Sequence, residues 1–194
     1  VIQLPKEVAN RTTTDIWKKL AIWSLPEIDD WTLFLDTDTI ALKSCEGLHK
    51  VEHFAACENW SPNSYQLPTP LAGPYQTINS GVMVAKPTQE IWQKVLNWCH
   101  EILPTFPKGK LGRGDECLVN YMRQFNVMPN WSLLHRRYNF TYGHIKLYDS
   151  KPVIPDPIIL HCNHGMIDEI KKGNIKTKYH KIYMNAMQSA SHCH

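Results

Sequence analysis

The chain has 194 residues, of which 43% are hydrophobic and 20% are charged, which fits one globular domain and excludes collagen-like, coiled-coil and broadly disordered chains. It carries 21 Lys and Arg against 18 Asp and Glu, a formal net charge of +3 with the histidines neutral. Proteins that bind nucleic acid phosphates are usually more basic, so we expect no nucleic-acid partner. The longest apolar stretches fall far short of the roughly 20 residues that cross a bilayer, so we expect no membrane segment in this chain.

In chain order, apolar spacing alternates between helical and extended patterns. Helices are predicted at residues 14–25, 87–104 and 115–125. Strands are predicted at residues 31–35, 51–56, 82–84, 127–128, 133–134 and 158–160. We interpret the long loop at 58–76 as a flap near the site, with a plain surface loop as the alternative. This order of elements predicts an α/β domain.

The cysteines and the glycosylation triplets bear on the cellular compartment. Six cysteines occur without a C-x-x-C pair, which argues against a thioredoxin-type motif and a paired zinc ribbon. Four N-x-[ST] triplets, at Asn10, Asn59, Asn130 and Asn139, would suit a secretory lumen, but such triplets also arise by chance. Two locations therefore stay open, the Golgi or secretory lumen and the cytoplasm.

Two aspartates follow the predicted strand at 31–35. Because strand side chains alternate between faces, the carboxylates of Asp36 and Asp38 are expected on one side and Thr37 on the other. Two neighbouring anions favour a cation between them, and carboxylate oxygens suit Mg²⁺ or Mn²⁺. The alternative is a pair of solvated acids at the end of a strand.

A histidine ends another apolar strand. We expect His161 at the carboxyl edge of the sheet, where α/β folds present their ligands. One imidazole nitrogen beside two carboxylates favours Mn²⁺ over Mg²⁺. The alternatives are that His161 is a hydrogen-bonded core histidine, or that His164 takes this role.

Two further groups of polar residues are candidates for binding or catalysis. Asn79 and Ser80 precede Gly81 at the start of a predicted strand, where a carboxamide can bind a hydroxyl-rich ligand, with a plain turn as the alternative. Asp115 and Glu116 open a predicted helix, where capping is the alternative account of a carboxylate.

Five stretches occur in fixed order between about residues 17 and 165: KLAIWSL at 19–25, LFLDTDT at 33–39, NSGVMV at 79–84, GDECLVN at 114–120 and ILHCNHG at 159–165. Together they resemble glycosyltransferase family 8, the glycogenin-like and xylosyltransferase-like enzymes of the GT-A fold. The resemblance implies a Rossmann-like mixed sheet flanked by helices. It places the domain at residues 1–170 and a polar C-terminal helix or tail at 171–194.

The resemblance also implies a metal-dependent, retaining transfer of a hexose or pentose from a UDP-sugar to a glycan or protein-linked acceptor. Asp36, Asp38 and His161 would hold Mn²⁺, with Mg²⁺ as the alternative, and Asp115 and Glu116 would act catalytically at the sugar. The implied donor-binding residues are Lys19, Thr37, Asn79, Ser80, Gly81 and Gly165. Tyr138 and Asn139 match the family's pair on the acceptor side, so Asn139 is expected to be a site residue rather than a glycan carrier.

Three departures from the family pattern stand out. Glu116 occupies the position where the family usually has Gln. The phosphate-binding lysine of the family has no clear counterpart, because Lys171 and Lys172 lie slightly too far along the chain. The first strands, which seat the base and ribose, are absent, so we expect either that residues precede Val1 or that the domain is a reduced version.

Two other functions stay open at this point. A haloacid-dehalogenase-type Mg²⁺-dependent phosphatase would also use an apolar strand followed by D-x-D, but Val119 stands where its second acidic cluster needs Asp. A catalytically inactive carbohydrate-binding module with the same fold is the second alternative.

Overall fold

The structure of the protein is a computed structural model, which describes residues 15–24, 30–52, 54–58, 78–101, 119–120, 122–123, 126–127, 131–141, 156–162, 164–175 and 177–191. The strands are β1 (Thr32–Leu35), β2 (Thr39–Ala41), β3 (Phe54–Glu58), β4 (Ile78–Ala85), β5 (Trp131–Leu134), β6 (Phe140–Thr141) and β7 (Ile159–His161). The α-helices are α1 (Gln89–Glu101), α2 (His164–Lys171) and α3 (Lys178–Ser191). Short 3-10 helices cover Asp15–Ser24, Glu46–Lys50 and Arg136–Tyr138.

The chain forms two compact units. The first unit comprises Val1–Phe34 and Leu48–Leu134, and the second comprises Leu35–Gly47 and His135–His194. One sheet has the strand order β1-β4-β3-β5, with β3 antiparallel to β4 and parallel to β5. The other has the order β2-β7-β6, with β7 antiparallel to β2 and parallel to β6. The expected mixed α/β fold is confirmed, with its strands divided between two sheets.

The core of the first unit is built around β4. Seven of the eight residues of β4 are buried, and its last four residues, 82–85, form a continuous apolar run. Helix α1 contributes Val95 and Trp98 to the same core, and the rings of Trp23 and Phe54 pack with centroids 5.6 Å apart. These contacts fix the strand that carries the NSGVMV stretch.

A bulge interrupts the pairing of β3 with β4. Ala56 pairs with Met83, but the next residue, Cys57, pairs with Asn79, so residues 80–82 form the bulge. The Asn79 side chain stabilises it, because its Oδ1 accepts a hydrogen bond from the Gly81 N–H at 3.0 Å. The polar start of the NSGVMV stretch is therefore a bend in the strand, a feature that often accompanies a site.

The second unit has its own apolar core. Phe140, Leu160, Cys162, Met166 and Tyr179 are all buried there. The rings of Phe140 and Tyr179 lie 5.4 Å apart, so helix α3 packs on the sheet through its first turn. That core supports β7 and its last residue, His161.

The secondary structure agrees in outline with the sequence predictions. The helix predicted at 14–25 is a 3-10 helix, and the strands at 31–35, 82–84, 133–134 and 158–160 correspond to β1, β4, β5 and β7. The helix at 87–104 corresponds to α1, and the polar tail contains α3. Within the helix expected at 115–125, the described residues 119–120 and 122–123 are helical.

Two predicted strands differ from what the described residues show, and Met128 of the strand predicted at 127–128 lies outside those residues. The strand expected at 51–56 begins only at Phe54, because Val51 N–H donates to Leu48 O at 3.2 Å and so continues the preceding helical turn. Val127 lies in a bend rather than a strand, and its N–H donates to Met122 O at 2.9 Å. The predicted flap at 58–76 falls on residues that, apart from Glu58, lie outside those described. Among the described helices, none combines the length and the apolar character that crossing a bilayer would require.

Candidate metal centre

The two aspartates of the D-x-D sequence lie in a tight turn between β1 and β2. The Thr39 N–H donates to Asp36 O at 3.1 Å, and the Thr39 Oγ1 hydroxyl donates to the same oxygen at 2.7 Å. This is the hydrogen-bond pattern of a β-turn over residues 36–39. The expectation that alternation along a strand aligns the carboxylates was wrong, because a turn brings them to one side instead.

The pairing of β2 with β7 brings the histidine to this turn. In the antiparallel ladder Thr39 lies opposite His161, and the Cys162 N–H donates to Asp38 O at 2.8 Å. An antiparallel pair places the start of one strand against the end of the other. His161 therefore reaches the aspartates through an antiparallel neighbour, rather than through the shared carboxyl edge of parallel strands.

The three side chains form a compact set of potential metal ligands. One ligand atom from each of Asp36, Asp38 and His161 lies within 4.8 Å of the other two. The His161 Nε2 atom is 3.3 Å from Asp38 Oδ1. Oxygen or nitrogen atoms that each lie about 2.1 Å from one octahedral ion are separated by about 3 to 4.2 Å, and the 3.3 Å between His161 Nε2 and Asp38 Oδ1 lies in that range.

Burial and the charge of Asp38 together raise the pKa values of groups around the three side chains. The side chain of His161 is 8% exposed, whereas that of Asp38 is 27% exposed and reaches solvent. Burial, with the Asp38 charge as a second cause, raises the pKa of the Cys162 thiol to about 12. Burial likewise raises the pKa of Tyr183, with smaller contributions from Cys162 and Asp38. Burial is the largest cause of both shifts and the negative charge of Asp38 adds to each, so a cation bound beside Asp38 would offset that added effect.

The other ring nitrogen of His161 is held by Asn139. The Nδ1 atom lies 2.9 Å from Asn139 Oδ1, and both side chains are buried. Sequence reasoning missed this contact, because the Tyr-Asn resemblance assigned Asn139 to the acceptor side. Asn139 precedes β6, which pairs in parallel with β7 and sets Thr141 beside His161. Only the pairing of β6 with β7 could have indicated that Asn139 lies next to His161.

The remaining candidates of the second unit surround the same strands. Tyr138 is partly buried, and a Cβ atom at Gly47 would lie 3.2 Å from its hydroxyl oxygen, so Gly47 leaves space for the tyrosine. Thr37 is exposed in the turn, and Gly165 is exposed on α2. Their assigned roles in donor and acceptor binding stay predictions.

The side chain of Asn120 holds the start of β4 in the first unit. Asn120 accepts a hydrogen bond from the Ile78 N–H at 2.9 Å and donates from Nδ2 to Ile78 O at 3.1 Å. Asn120, the last residue of the GDECLVN stretch, is thereby fastened to the start of the strand that carries Asn79, Ser80 and Gly81. The Lys19 ammonium lies 5.4 Å from the centroid of the Phe34 ring.

The two candidate catalytic acids, Asp115 and Glu116, lie outside the described residues. Their catalytic roles therefore stay predictions from the sequence.

Comparison with known proteins identifies the type of fold. No protein-family model matches the chain, and no curated protein matches it. Among solved structures, the galactosyltransferase LgtC in complex with donor and acceptor sugar analogs is similar, with a TM-score of 0.59 and 14% identity over 81% of this chain and 63% of that one. The apo structure of the bifunctional glycosyltransferase WbbM gives a TM-score of 0.59 and 14% identity over 90% of this chain and 37% of that one.

An active-site mutant of LgtC gives nearly the same result, with a TM-score of 0.58 over the same shares of the two chains. The chain thus spans less than two thirds of the length of these structures. The similarity confirms the GT-A type fold that the five sequence stretches had indicated.

Proposed function

We propose that this protein is a metal-dependent glycosyltransferase that moves a hexose or pentose from a UDP-sugar to a glycan or glycoprotein acceptor with retention of configuration. The observation that carries the proposal is the cluster of Asp36, Asp38 and His161, whose ligand atoms lie within 4.8 Å of one another. The GT-A type fold and the five family 8 stretches support it, and we propose family 8 as the family. The proposed transferase domain covers residues 1–170.

In this proposal Asp36, Asp38 and His161 hold Mn²⁺, with Mg²⁺ as a substitute. The bound cation would neutralise the negative charge that develops on the leaving diphosphate. The chain contributes the geometry: the turn at 36–39 fixes both carboxylates, and the β2–β7 pairing holds the imidazole next to Asp38.

The other roles follow the sequence assignments. Asp115 and Glu116 stabilise the positive charge that grows at the anomeric carbon as its bond to the diphosphate breaks. Tyr138 contacts the acceptor. The residues proposed to bind the donor are Lys19, Thr37, Asn79, Ser80, Gly81 and Gly165.

The structure offers a reason against the phosphatase alternative. Val119, which stands where that chemistry needs a second acid, is 1% exposed and packs in the core of the first unit. A core position of this kind does not accept a charged metal ligand without a large cost.

The experiment that tests the proposal is release of UDP from a panel of UDP-sugars, with Mn²⁺ and without it. We expect release from at least one sugar in the presence of Mn²⁺ only, and loss of that release in Asp36→Asn. Asp168→Asn is the matched control, because Asp168 is an exposed acid on α2 outside the cluster, and it should retain activity. Phosphate release from a generic ester without any sugar nucleotide would instead support a phosphatase. Binding of glycans without binding of UDP would support the inactive module.

A further inference from the structure

Both ring nitrogens of His161 face oxygen atoms. Nδ1 lies 2.9 Å from Asn139 Oδ1, and Nε2 lies 3.3 Å from Asp38 Oδ1. A carboxylate only accepts hydrogen bonds, and so does a carboxamide oxygen. A neutral imidazole has a single N–H, so one of its nitrogens must face an oxygen with a lone pair.

Burial indicates which nitrogen carries the hydrogen. Asn139 is 1% exposed and His161 is 6% exposed, so their contact is shielded from water. The Asp38 side chain is 27% exposed, so water or a cation can satisfy its oxygen. Because a carboxamide oxygen only accepts, the 2.9 Å contact of Nδ1 with Asn139 Oδ1 is a hydrogen bond when the hydrogen is on Nδ1, and we assign it there.

The backbone around Asn139 fixes the position of its side chain. Its N–H donates to Arg136 O at 3.2 Å and closes the 3-10 turn Arg136–Tyr138. Immediately after it, β6 begins and pairs in parallel with β7, with Phe140 beside Leu160 and Thr141 beside His161. The carboxamide is thus carried between the 3-10 turn and β6, the strand paired with that of the histidine.

We infer that Asn139 is a positioning residue that holds His161 in the Nδ1–H tautomer and thereby keeps the Nε2 lone pair directed at Asp36 and Asp38. The consequence of this inference, that Nε2 is available to a metal, rests on the proposed function. A hydrogen bond to the second nitrogen of a histidine ligand typically orients the ring and fixes its tautomer. Asn139 therefore acts on the metal through His161 and not through contact with the sugar acceptor.

The first test reads the tautomer directly, without metal. ¹⁵N chemical shifts of the two ring nitrogens of His161 distinguish Nδ1–H from Nε2–H. We expect Nδ1–H in the wild-type protein and in Asn139→Asp, which keeps an acceptor oxygen at the same place. In Asn139→Leu, which has a similar volume and no acceptor, the hydrogen should move to Nε2 and pair with Asp38.

The second test measures Mn²⁺ affinity by electron paramagnetic resonance. Asn139→Leu should weaken binding about 10- to 100-fold, whereas Asn139→Asp should keep it. Phe140→Leu is the control for instability, because Phe140 is fully buried beside Asn139 but accepts no hydrogen bond through its side chain. It should lower the melting temperature while leaving both the tautomer and the affinity unchanged.

Nε2–H in the wild-type protein, or a tautomer that is the same in wild type and Asn139→Leu, would overturn the inference. So would an equal loss of affinity in Phe140→Leu and Asn139→Leu, since the effect would then follow stability alone. If the wild-type protein bound no Mn²⁺, the proposed function would fail, and the ring spectra would still decide the role of Asn139.

Discussion

Thr39 lies directly opposite His161 in the antiparallel pairing of β2 with β7. This register sets Asp38, the residue before Thr39, next to the imidazole, and the Cys162 N–H bonded to Asp38 O holds it there. A slip of one residue would turn every side chain of β2 to the opposite face. The residues that meet in the candidate metal centre are therefore determined by the register of β2 against β7.

Asn120 is expected to matter for stability because it satisfies both backbone groups of Ile78. Ile78 is fully buried, so Asn120→Leu would leave a buried N–H and C=O without this partner. We expect the free energy of unfolding, measured in urea, to fall by about 1–3 kcal/mol.

Two variants sharpen that measurement. Asn120→Asp keeps the acceptor for the Ile78 N–H but loses the donor, so its loss should be smaller. Gln93→Ala removes an exposed hydrogen bond to Asn97 on α1 and should change stability by less than about 0.5 kcal/mol. If Asn120→Leu were as stable as the wild type, the side chain would not fasten β4.

Tyr179 carries a buried hydroxyl that has no hydrogen-bond partner among the described residues. Its ring packs on Phe140, and burial raises its pKa, with a smaller effect of Asp156. We expect Tyr179→Phe to keep or raise the free energy of unfolding by up to about 1 kcal/mol, since it removes an unsatisfied polar group. Tyr179→Ala should lower it by about 3–5 kcal/mol by opening a cavity. A clear loss in the Phe variant would show that the hydroxyl is satisfied.

Asp156 is expected to make the free energy of unfolding depend on pH in the acidic range. The hydrogen bond from Lys43 lowers the pKa of this carboxyl, and the charges of Lys43 and Arg137 add to that effect. A carboxyl whose pKa is lowered by folding stabilises the protein above its ordinary pKa, near 4, and that stabilisation is lost as the pH falls through the folded value. Wild type and Asp156→Asn should therefore differ in stability near neutral pH and converge below about pH 4.

A double-mutant cycle assigns this effect to the ion pair. Lys43→Met should remove the same pH-dependent part of the stability, and adding it to Asp156→Asn should change little. If Lys43→Met lowered the free energy of unfolding equally in the wild type and in Asp156→Asn, the two residues would not act as a pair.

The sequence indicated the members of the candidate metal centre but not the way in which they meet. Asp36, Asp38 and His161 were recognisable because carboxylates and imidazole at strand ends suit a divalent cation. The turn at 36–39 was not recognised, because the two aspartates directly follow an apolar strand and were interpreted as its end. Strand pairing at long range was out of reach, so the antiparallel register of β2 and β7 was not foreseen.

The same limit explains the errors in the fold. Strands β2 and β6 have three and two residues, too short to give a period-2 pattern. The apolar stretch that begins at Val51 suggested a strand, but the turn Glu46–Lys50 extends its hydrogen bonding into Val51. The strand at 82–84 was predictable because its residues are apolar and favour strands, whereas the bulge at Asn79 depends on the pairing of β4 with β3.

The central claim is that a single divalent cation binds among Asp36, Asp38 and His161, and titration with Mn²⁺ followed by electron paramagnetic resonance tests it most directly. We expect the wild-type protein and Asp168→Asn to bind Mn²⁺ equally, and Asp38→Asn to bind it at least about 10-fold more weakly. Wild-type protein that binds no Mn²⁺, or Asp38→Asn that binds it as tightly as wild type, would contradict the account.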